Sequence, residues 1–412
     1  VKGIAVVLLA VIASFAASVA SAQAPLFKRG ATLVEFFQFP QTVTGAAGKR
    51  YANPAYPNAR KALTTFDFDQ LRAIGFDHIR VPLDVGPLLI EGGAQWREIV
   101  GQLHAVIETL HRHRLGVVVT LFPPAPDVGV GMPQLDGLQG PNFQHYVAIV
   151  TRIAAELSTV TSGAVALEPM NEPQEECRAA SGADWSAYQE ALVADIRRVN
   201  PQIPLFLTGG CWSSIEGTVL IDTPLLRDPR NLVSVHFYLP FLFTHQTATW
   251  AMPYIAGVIG VPYPASEGSA AQTIAATAER FRTLDLPSAA KDAQLAEAGR
   301  AIQWYFSEAE GPATMEQWMA KLAAWQAKEG VPSDHIVFTE FGAIKELDGG
   351  VEINRSSRAR WLHDASAAFE RHGWSWTVFG LRDGLFAIYD NEFDAAPNPR
   401  LLSALGLSPL TH

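Results

Sequence analysis

Short apolar runs rich in β-branched and aromatic residues recur along the chain, and between them lie segments with apolar residues at helical spacing. The runs predict strands over 31–37, 78–82, 116–122, 165–170, 204–208, 232–238, 335–340 and 374–379. Helical spacing predicts helices over 68–74, 96–113, 143–157, 185–199, 315–328 and 358–372, with Asp67, Asp184 and Thr314 where N-caps are expected. Strands that alternate with helices in an α/β chain call for a parallel sheet, and eight such repeats call for its closed form, the (β/α)8 or TIM barrel. An open doubly wound sheet would open on a Gly-rich nucleotide turn, and Gly30-Ala31-Thr32 is not one.

One interval breaks the rhythm. After the sixth predicted strand, residues 239–311 hold no strand, far more than an ordinary connection. The first part is aromatic and rich in Gly and Pro, with Phe241, Phe243, Trp250, Tyr254 and Tyr263; the second has helical spacing at Ile274, Ala278, Phe281, Leu295, Ile302 and Phe306. The expectation is a partly helical insertion on the face where strand C-termini emerge, within a single catalytic domain over 23–412.

Residues 1–22 read as a signal peptide: Lys2, an apolar stretch from Ile4 to Ala20, and Ala20-Ser21-Ala22 as a small-residue cleavage site. A membrane anchor is the alternative, but the apolar run sits at the lower edge for spanning and no basic stop-transfer cluster follows it. A secreted or periplasmic protein with no membrane association after cleavage is expected. The chain's 48% hydrophobic content supports a sizeable core, and its net charge of −10 repels phosphate backbones and argues against nucleic acid as a partner. No phosphate loop and no His/Cys cluster with metal spacing occurs, so neither a metal nor another cofactor is expected. The two cysteines, Cys177 and Cys211, follow adjacent predicted strands in a chain bound for an oxidising compartment, which makes one disulfide the natural expectation and two buried thiols the alternative.

Two strand ends carry the candidate chemistry. Val165-Ala166-Leu167-Glu168-Pro169-Met170-Asn171-Glu172-Pro173 joins an apolar run to a glutamate whose following proline restrains the backbone. Far downstream, His335-Ile336-Val337-Phe338-Thr339-Glu340-Phe341-Gly342 ends in the same way. Two carboxylates at barrel strand ends suit the cleavage of a glycosidic bond, in which one protonates the leaving oxygen while the other attacks the anomeric carbon or activates water. They need opposite protonation states, and Arg80 at the second strand is the candidate cation to separate them, with a rim salt bridge as its alternative role.

In that order and strand placement the chain resembles glycoside hydrolase family 5, the cellulase family, from about Gly30 to Asp390. The resemblance implies a (β/α)8 barrel and a retaining double displacement. It further implies Arg80 as the nucleophile's support, Glu172 as the acid/base of an Asn-Glu-Pro with Asn171 beside it, and His236 and Tyr238 as the His-x-Tyr of the sixth strand. Glu340 would be the nucleophile in Thr-Glu-Phe-Gly, and Trp376 the sugar-stacking tryptophan of the eighth strand. One position departs. Family members commonly carry a histidine at the end of the third strand, where this chain has Leu121-Phe122-Pro123-Pro124, and this puts the substrate in question more than the reaction.

Trp212 after the fifth strand has two readings, a floor for a pyranose ring or core packing. Glu168 reads as a hydrogen-bonded residue of the barrel mouth, Asp383 and Tyr389 as candidates for sugar hydroxyls, and Trp304, Trp318, Trp325 and Trp361 as core. The function these features favour is hydrolysis of a β-linked glucan or oligosaccharide. A transglycosylase with the same carboxylates and a non-catalytic carbohydrate-binding barrel are the alternatives, and retention of both glutamates weighs against the second.

Overall fold

The computed structural model describes residues 27–45, 48–90, 93–124, 136–173, 185–221, 223–345, 353–382, 384–391 and 394–408. Eight parallel strands close into a barrel: β1 (Arg29–Thr32), β2 (His78–Asp84), β3 (Gly116–Phe122), β4 (Val165–Glu168), β5 (Leu205–Thr208), β6 (Asn231–Phe237), β7 (Ile336–Phe341) and β8 (Ser375–Val378). β1 closes the ring by pairing with both neighbours, Gly30 opposite His78 on β2 and opposite Thr377 on β8. Helices at Phe68–Ile74, Gly93–Arg112, Pro141–Leu157, Trp185–Val199, Pro312–Glu329 and Ile353–Arg371 follow the predicted order.

Alternation along each strand divides the apolar residues between two cores. One set packs between the strands and the helices. The other, Phe27, Val118, Ala166, Phe206, Leu232 and Val337, fills the lower lumen. Gly30 makes room there for His78, since a Cβ on it would lie 2.2 Å from His78 Nε2, and that nitrogen bonds Thr377 Oγ1 at 2.7 Å. Above the apolar plug the lumen turns polar, with Thr120, Glu168, Ser234 and Thr339 all buried. Each of these buried polar groups has a partner, as a low-dielectric interior requires.

Several boundaries differ from expectation. The predicted strand over 31–37 ends at Thr32, and Phe37 keeps only a bridge to Leu83, because the apolar run Leu33–Phe37 is buried as a turn beneath β2. Asp67 caps its helix by accepting from Gln70 N, but Thr314 sits inside the first turn of its helix, where its hydroxyl accepts from Gly311 N. Asp184 lies outside the described residues. A hairpin, Thr42–Gly45 with Gly48–Tyr51, joins β1 to the rest of the barrel and carries no alternation that would have announced it.

The insertion after β6 is ordered. It starts with a turn of helix at Phe241–Thr244 and ends with two helices, Ala270–Thr283 and Ser288–Ser307. Tyr263 N donates to Ser357 Oγ at 2.9 Å, and Trp361 Nε1 donates to Leu239 O at 3.0 Å, so both ends of its first part are tied to the helix that follows β7. Trp325 and Trp361 are core and Trp318 is half-buried, whereas Trp304 is exposed on the outer face of the insertion. No helix among the described residues is long and apolar enough to cross a membrane.

Candidate active site

The C-terminal ends of the strands converge on a cleft of about 540 Å³ that Asn171, Glu172, Tyr238 and Glu340 all line. At its base Arg80 is completely buried, and its guanidinium ties three strand ends together. Nε donates to Glu168 Oε2 at 3.0 Å, one terminal nitrogen to Asn171 Oδ1 at 2.7 Å, and the other to Glu340 Oε1 at 2.5 Å. Burial alone would lower the arginine, but Glu168 and Glu340 raise it. Glu168 is not a cleft group. Thr120 and Ser234 donate to it at 2.6 Å each, and although burial pushes its carboxyl up, Arg80 and these donors hold it below the usual range.

Glu340 is aimed into the cleft by an irregularity in β7. Pairing with β6 runs Ser234 to Val337 and Val235 to Phe338, then jumps to His236 opposite Glu340. The extra residue is Thr339, whose hydroxyl bonds Ser234 in the lumen. A bulge of this kind turns two successive side chains to the same side, and without it Glu340 would face the helices. Tyr238 Oη donates to Glu340 Oε2 at 2.9 Å, so both carboxylate oxygens have donors.

Glu172 is held differently. Tyr146 Oη bonds Pro169 O at 2.7 Å and Asn171 N bonds Leu121 O at 2.8 Å, which fixes the chain up to Glu172. Glu172 itself has φ of +44°, a left-handed conformation that costs a non-glycine residue about 1–2 kcal/mol. Its side chain keeps 32% exposure and shares a hydrogen bond of 2.8 Å with His236 Nδ1, which also lies 3.6 Å from Glu340 Oε2. Burial pushes the Glu172 carboxyl up, the Glu340 charge adds to this, and His236 and Arg80 only partly offset it. Burial would lower His236, but the Glu340 and Glu172 carboxylates raise it.

Glu172, His236 and Glu340 each offer an atom within 4.8 Å of the others. Such a trio has the donor set for a cation, but Arg80 already places a fixed positive charge against Glu340, and the arrangement is better suited to moving protons. Two carboxyl groups this close, one with two donors and one pushed towards its protonated form, can act as a nucleophile and an acid.

The sequence profile of the cellulase family, glycosyl hydrolase family 5, matches residues 42–383. The chain belongs to glycosyl hydrolase family 5. Among curated proteins it is 26% identical to cellodextrinase A of Ruminococcus flavefaciens over 225 residues, 53% of this chain and 65% of that protein. It is 23% identical to endoglucanase 3 of Fibrobacter succinogenes over 238 residues, 58% of this chain and 31% of that one. The matches thus span less than two thirds of these relatives. In fold it is similar to Thermotoga maritima Cel5A with mannotriose (TM-score 0.61, 17% identity, 92% of this chain and 97% of the other). The family 5 xyloglucanase of Paenibacillus pabuli is equally similar (TM-score 0.61, 16% identity, 92% and 98% covered).

One residue taken from the family 5 resemblance is not where it was expected. Trp376 is fully buried between barrel and helices, and its Nε1 donates to Glu370 Oε1 at 2.9 Å. Thr377 faces the lumen, so strand parity turns Trp376 outward and leaves Phe379 to line the cleft. Trp212 is 54% exposed outside the cleft lining, in a left-handed turn of Cys211, Trp212 and Ser213, and its N–H bonds Pro173 O at 3.1 Å. Cys211 is disulfide-bonded, while Cys177 lies outside the described residues. Tyr389 is buried and stacked under the Arg382 guanidinium, and Asp383 lies outside the described residues.

Other cleft residues carried no sequence signal. Phe386 and Leu385 come from the loop after β8, and Gln38 and Phe39 from the turn after β1. His245 enters from the insertion, stacked on Phe241 with ring centroids 3.9 Å apart. The single proton of Thr244 Oγ1 goes to Tyr238 O at 2.5 Å, so His245 Nδ1 must donate to that hydroxyl, at 3.0 Å, and Nε2 is left as an acceptor. Burial pushes His245 down to about 3, so it stays neutral across the physiological range.

Proposed function

We propose that this chain is an exported retaining glycosidase that cleaves β-linked glucans or their oligosaccharides. The observation that carries the reading is the Glu172, His236 and Glu340 cluster, in which one carboxylate oxygen or ring nitrogen of each lies within 4.8 Å of the others. Retaining enzymes hold their carboxyl groups about 5–5.5 Å apart, whereas inverting ones leave about 6.5–9.5 Å for a water. The names of the curated relatives, a cellodextrinase and endoglucanases, support a β-glucan as substrate.

In this mechanism Glu172 gives its proton to the glycosidic oxygen as Glu340 attacks the anomeric carbon. The bond to the leaving sugar breaks and a glycosyl ester on Glu340 forms. Glu172, now a carboxylate, takes a proton from water, whose oxygen attacks the same carbon and releases Glu340. Arg80 and Tyr238 hold Glu340 in line throughout, and His236 keeps Glu172 within reach of both oxygens. Export is supported by the apolar leader and by a disulfide at Cys211, which suits an oxidising compartment.

The reading is tested by incubating the protein with a panel of β-glucans and β-mannan and following the first-formed product by NMR. Release of the β-anomer is expected. An α-anomer first, or no turnover across the panel, would sink it. Adding a sugar acceptor in the same experiment separates hydrolysis from glycosyl transfer.

A further inference from the structure

Arg358, on the helix after β7, is buried and is not part of the carboxylate machinery. Its Nε donates to Ala343 O at 2.8 Å, and one terminal nitrogen donates to Phe386 O at 2.8 Å and to Ala387 O at 2.7 Å. These carbonyls belong to the loops after β7 and β8. No carboxylate among the described residues pairs with it directly; burial pulls the guanidinium down to about 10, and the Asp390 charge acts on it from longer range. A buried cation spent entirely on loop carbonyls is costly, and a methionine of similar length would fill the space without that cost. What the guanidinium provides is the position of those loops.

The residue most affected by that position is Phe386. Its ring centroid lies 5.6 Å from Tyr238, 5.3 Å from His245, 5.6 Å from Phe379 and 6.5 Å from Trp250, so it joins the insertion to the end of β8 at one side of the cleft. Two glycines make way for it. A Cβ on Gly342 would lie 3.1 Å from the Phe386 ring, and one on Gly380 would lie 3.0 Å from the Phe386 backbone, where φ is also +79°. Tyr238, against which the ring packs, donates to Glu340.

We propose that Arg358 is a positioning residue for substrate: by fixing the loops after β7 and β8 it holds Phe386 as the aromatic wall against which a sugar ring packs beside Glu340. This rests on the glycosidase reading and adds a determinant of oligosaccharide binding that lies outside the cleft.

The test is a double-mutant cycle on the full chain with Arg358→Lys and Phe386→Leu, read as KM and kcat on cello- and manno-oligosaccharides. Lysine keeps the charge but cannot reach three carbonyls in a fixed fork. Arg358→Lys is expected to raise KM about tenfold while kcat stays within about threefold, as loss of one or two hydrogen bonds' worth of positioning predicts. In the Phe386→Leu background the same substitution should change KM less than about twofold. Millimolar guanidinium should restore KM to Arg358→Ala.

An equal KM change in both backgrounds would assign Arg358 to general scaffolding and overturn the proposal. So would an unchanged KM in Phe386→Leu alone, a variant that needs no change at Arg358. A wild-type protein inactive on every β-glycoside tested would instead overturn the glycosidase reading, and this inference with it.

Discussion

The ends of β4 and β7 each deliver a glutamate to the same cleft, but by opposite means. At β7 a bulge turns Glu340 inward, burial is nearly complete, and Arg80 and Tyr238 occupy both carboxylate oxygens. At β4 the strand is over before Glu172 is reached, the backbone enters a left-handed conformation, and the side chain stays partly open with His236 as its bonded partner. Two donors, one of them a fixed cation, hold Glu340 in line, as the proposed nucleophile requires. A glutamate pushed up by burial and by its neighbour's charge suits the proposed role of acid. The difference between the two ends would give chemically identical residues the separate tasks proposed for them.

Removing either carboxylate gives the largest effects and separates the two ends most sharply. Glu340→Gly is expected to abolish turnover of every substrate, because no ester can form. Glu172→Ala should cut turnover of an unactivated glucan by about 10²–10⁴-fold, the usual worth of a general acid, yet largely spare the first step with a dinitrophenyl leaving group. Steady-state and burst kinetics on both substrate types check this; equal losses on both substrates in Glu172→Ala would break the assignment of roles.

A smaller effect comes from the cation that belongs to only one side of the pair. Arg80→Met leaves Glu168 and Glu340 buried without their bonded cation, and removal of one partner from such a cluster destabilises by about 3–5 kcal/mol. Denaturant titration would measure it. His236→Asn, which touches the Glu172 side, is expected to destabilise far less.

The upward shift of Glu172 makes a prediction in pH. In its proposed role as the acid it would set the alkaline limb of kcat/KM, and the hydrogen bond and charge of His236 lower it. His236→Asn should therefore move that limb to higher pH. In stability the sign runs the same way: a carboxyl raised on folding favours the native state below its unfolded pKa, and that favour is lost as pH rises through the folded one. Glu172→Gln should accordingly melt higher than the wild type at neutral pH, and the gain should fade below about pH 4. A gain that persists at low pH would point to packing rather than charge.

The barrel was legible because strand periodicity and helix periodicity differ so clearly, and all eight strands fall within the predicted runs or within two residues of them. Glu172, Glu340 and Arg80 were legible because strand ends in a barrel share one face, and His236 through the family 5 resemblance. What failed was parity. Trp376 sits one residue from the lumen-facing Thr377 and so points away from the cleft, while Glu340 follows lumen-facing Thr339 and reaches the cleft only because β7 bulges. Residue types near a strand end do not disclose on which side of the sheet they fall when a bulge can add a step. Phe386 and His245 were not legible at all, since their placement depends on loops from distant parts of the chain meeting in space.

The insertion supplies the smallest expected effect and the one that bears most on substrate length. It starts immediately after Tyr238, the residue that follows β6, and its first part brings His245 and a 58%-exposed Trp250 to the cleft. Three other aromatics there are occupied: Phe241 stacks on His245, and Phe243 packs on Tyr263, which is buried against the helix after β7. Ile344 N bonds Thr244 O at 2.9 Å, so the β7 loop braces the same wall. A wall anchored at both ends and braced from the side restricts one direction of a glucan chain more than a loop free to swing aside. Short oligosaccharides or chain ends should then be cut in preference to the interior of a polymer. Replacing 240–264 with a short Gly/Ser link is expected to move products towards internal cuts, by a few-fold in the ratio of long to short fragments, with turnover of small aryl glycosides far less changed. Trp250→Ala should move the same ratio part of the way. If the fragment-length distribution stays fixed in a folded and active variant, the insertion is scaffold, and the limit on chain length must come from Phe39 and the turn after β1 on the other side.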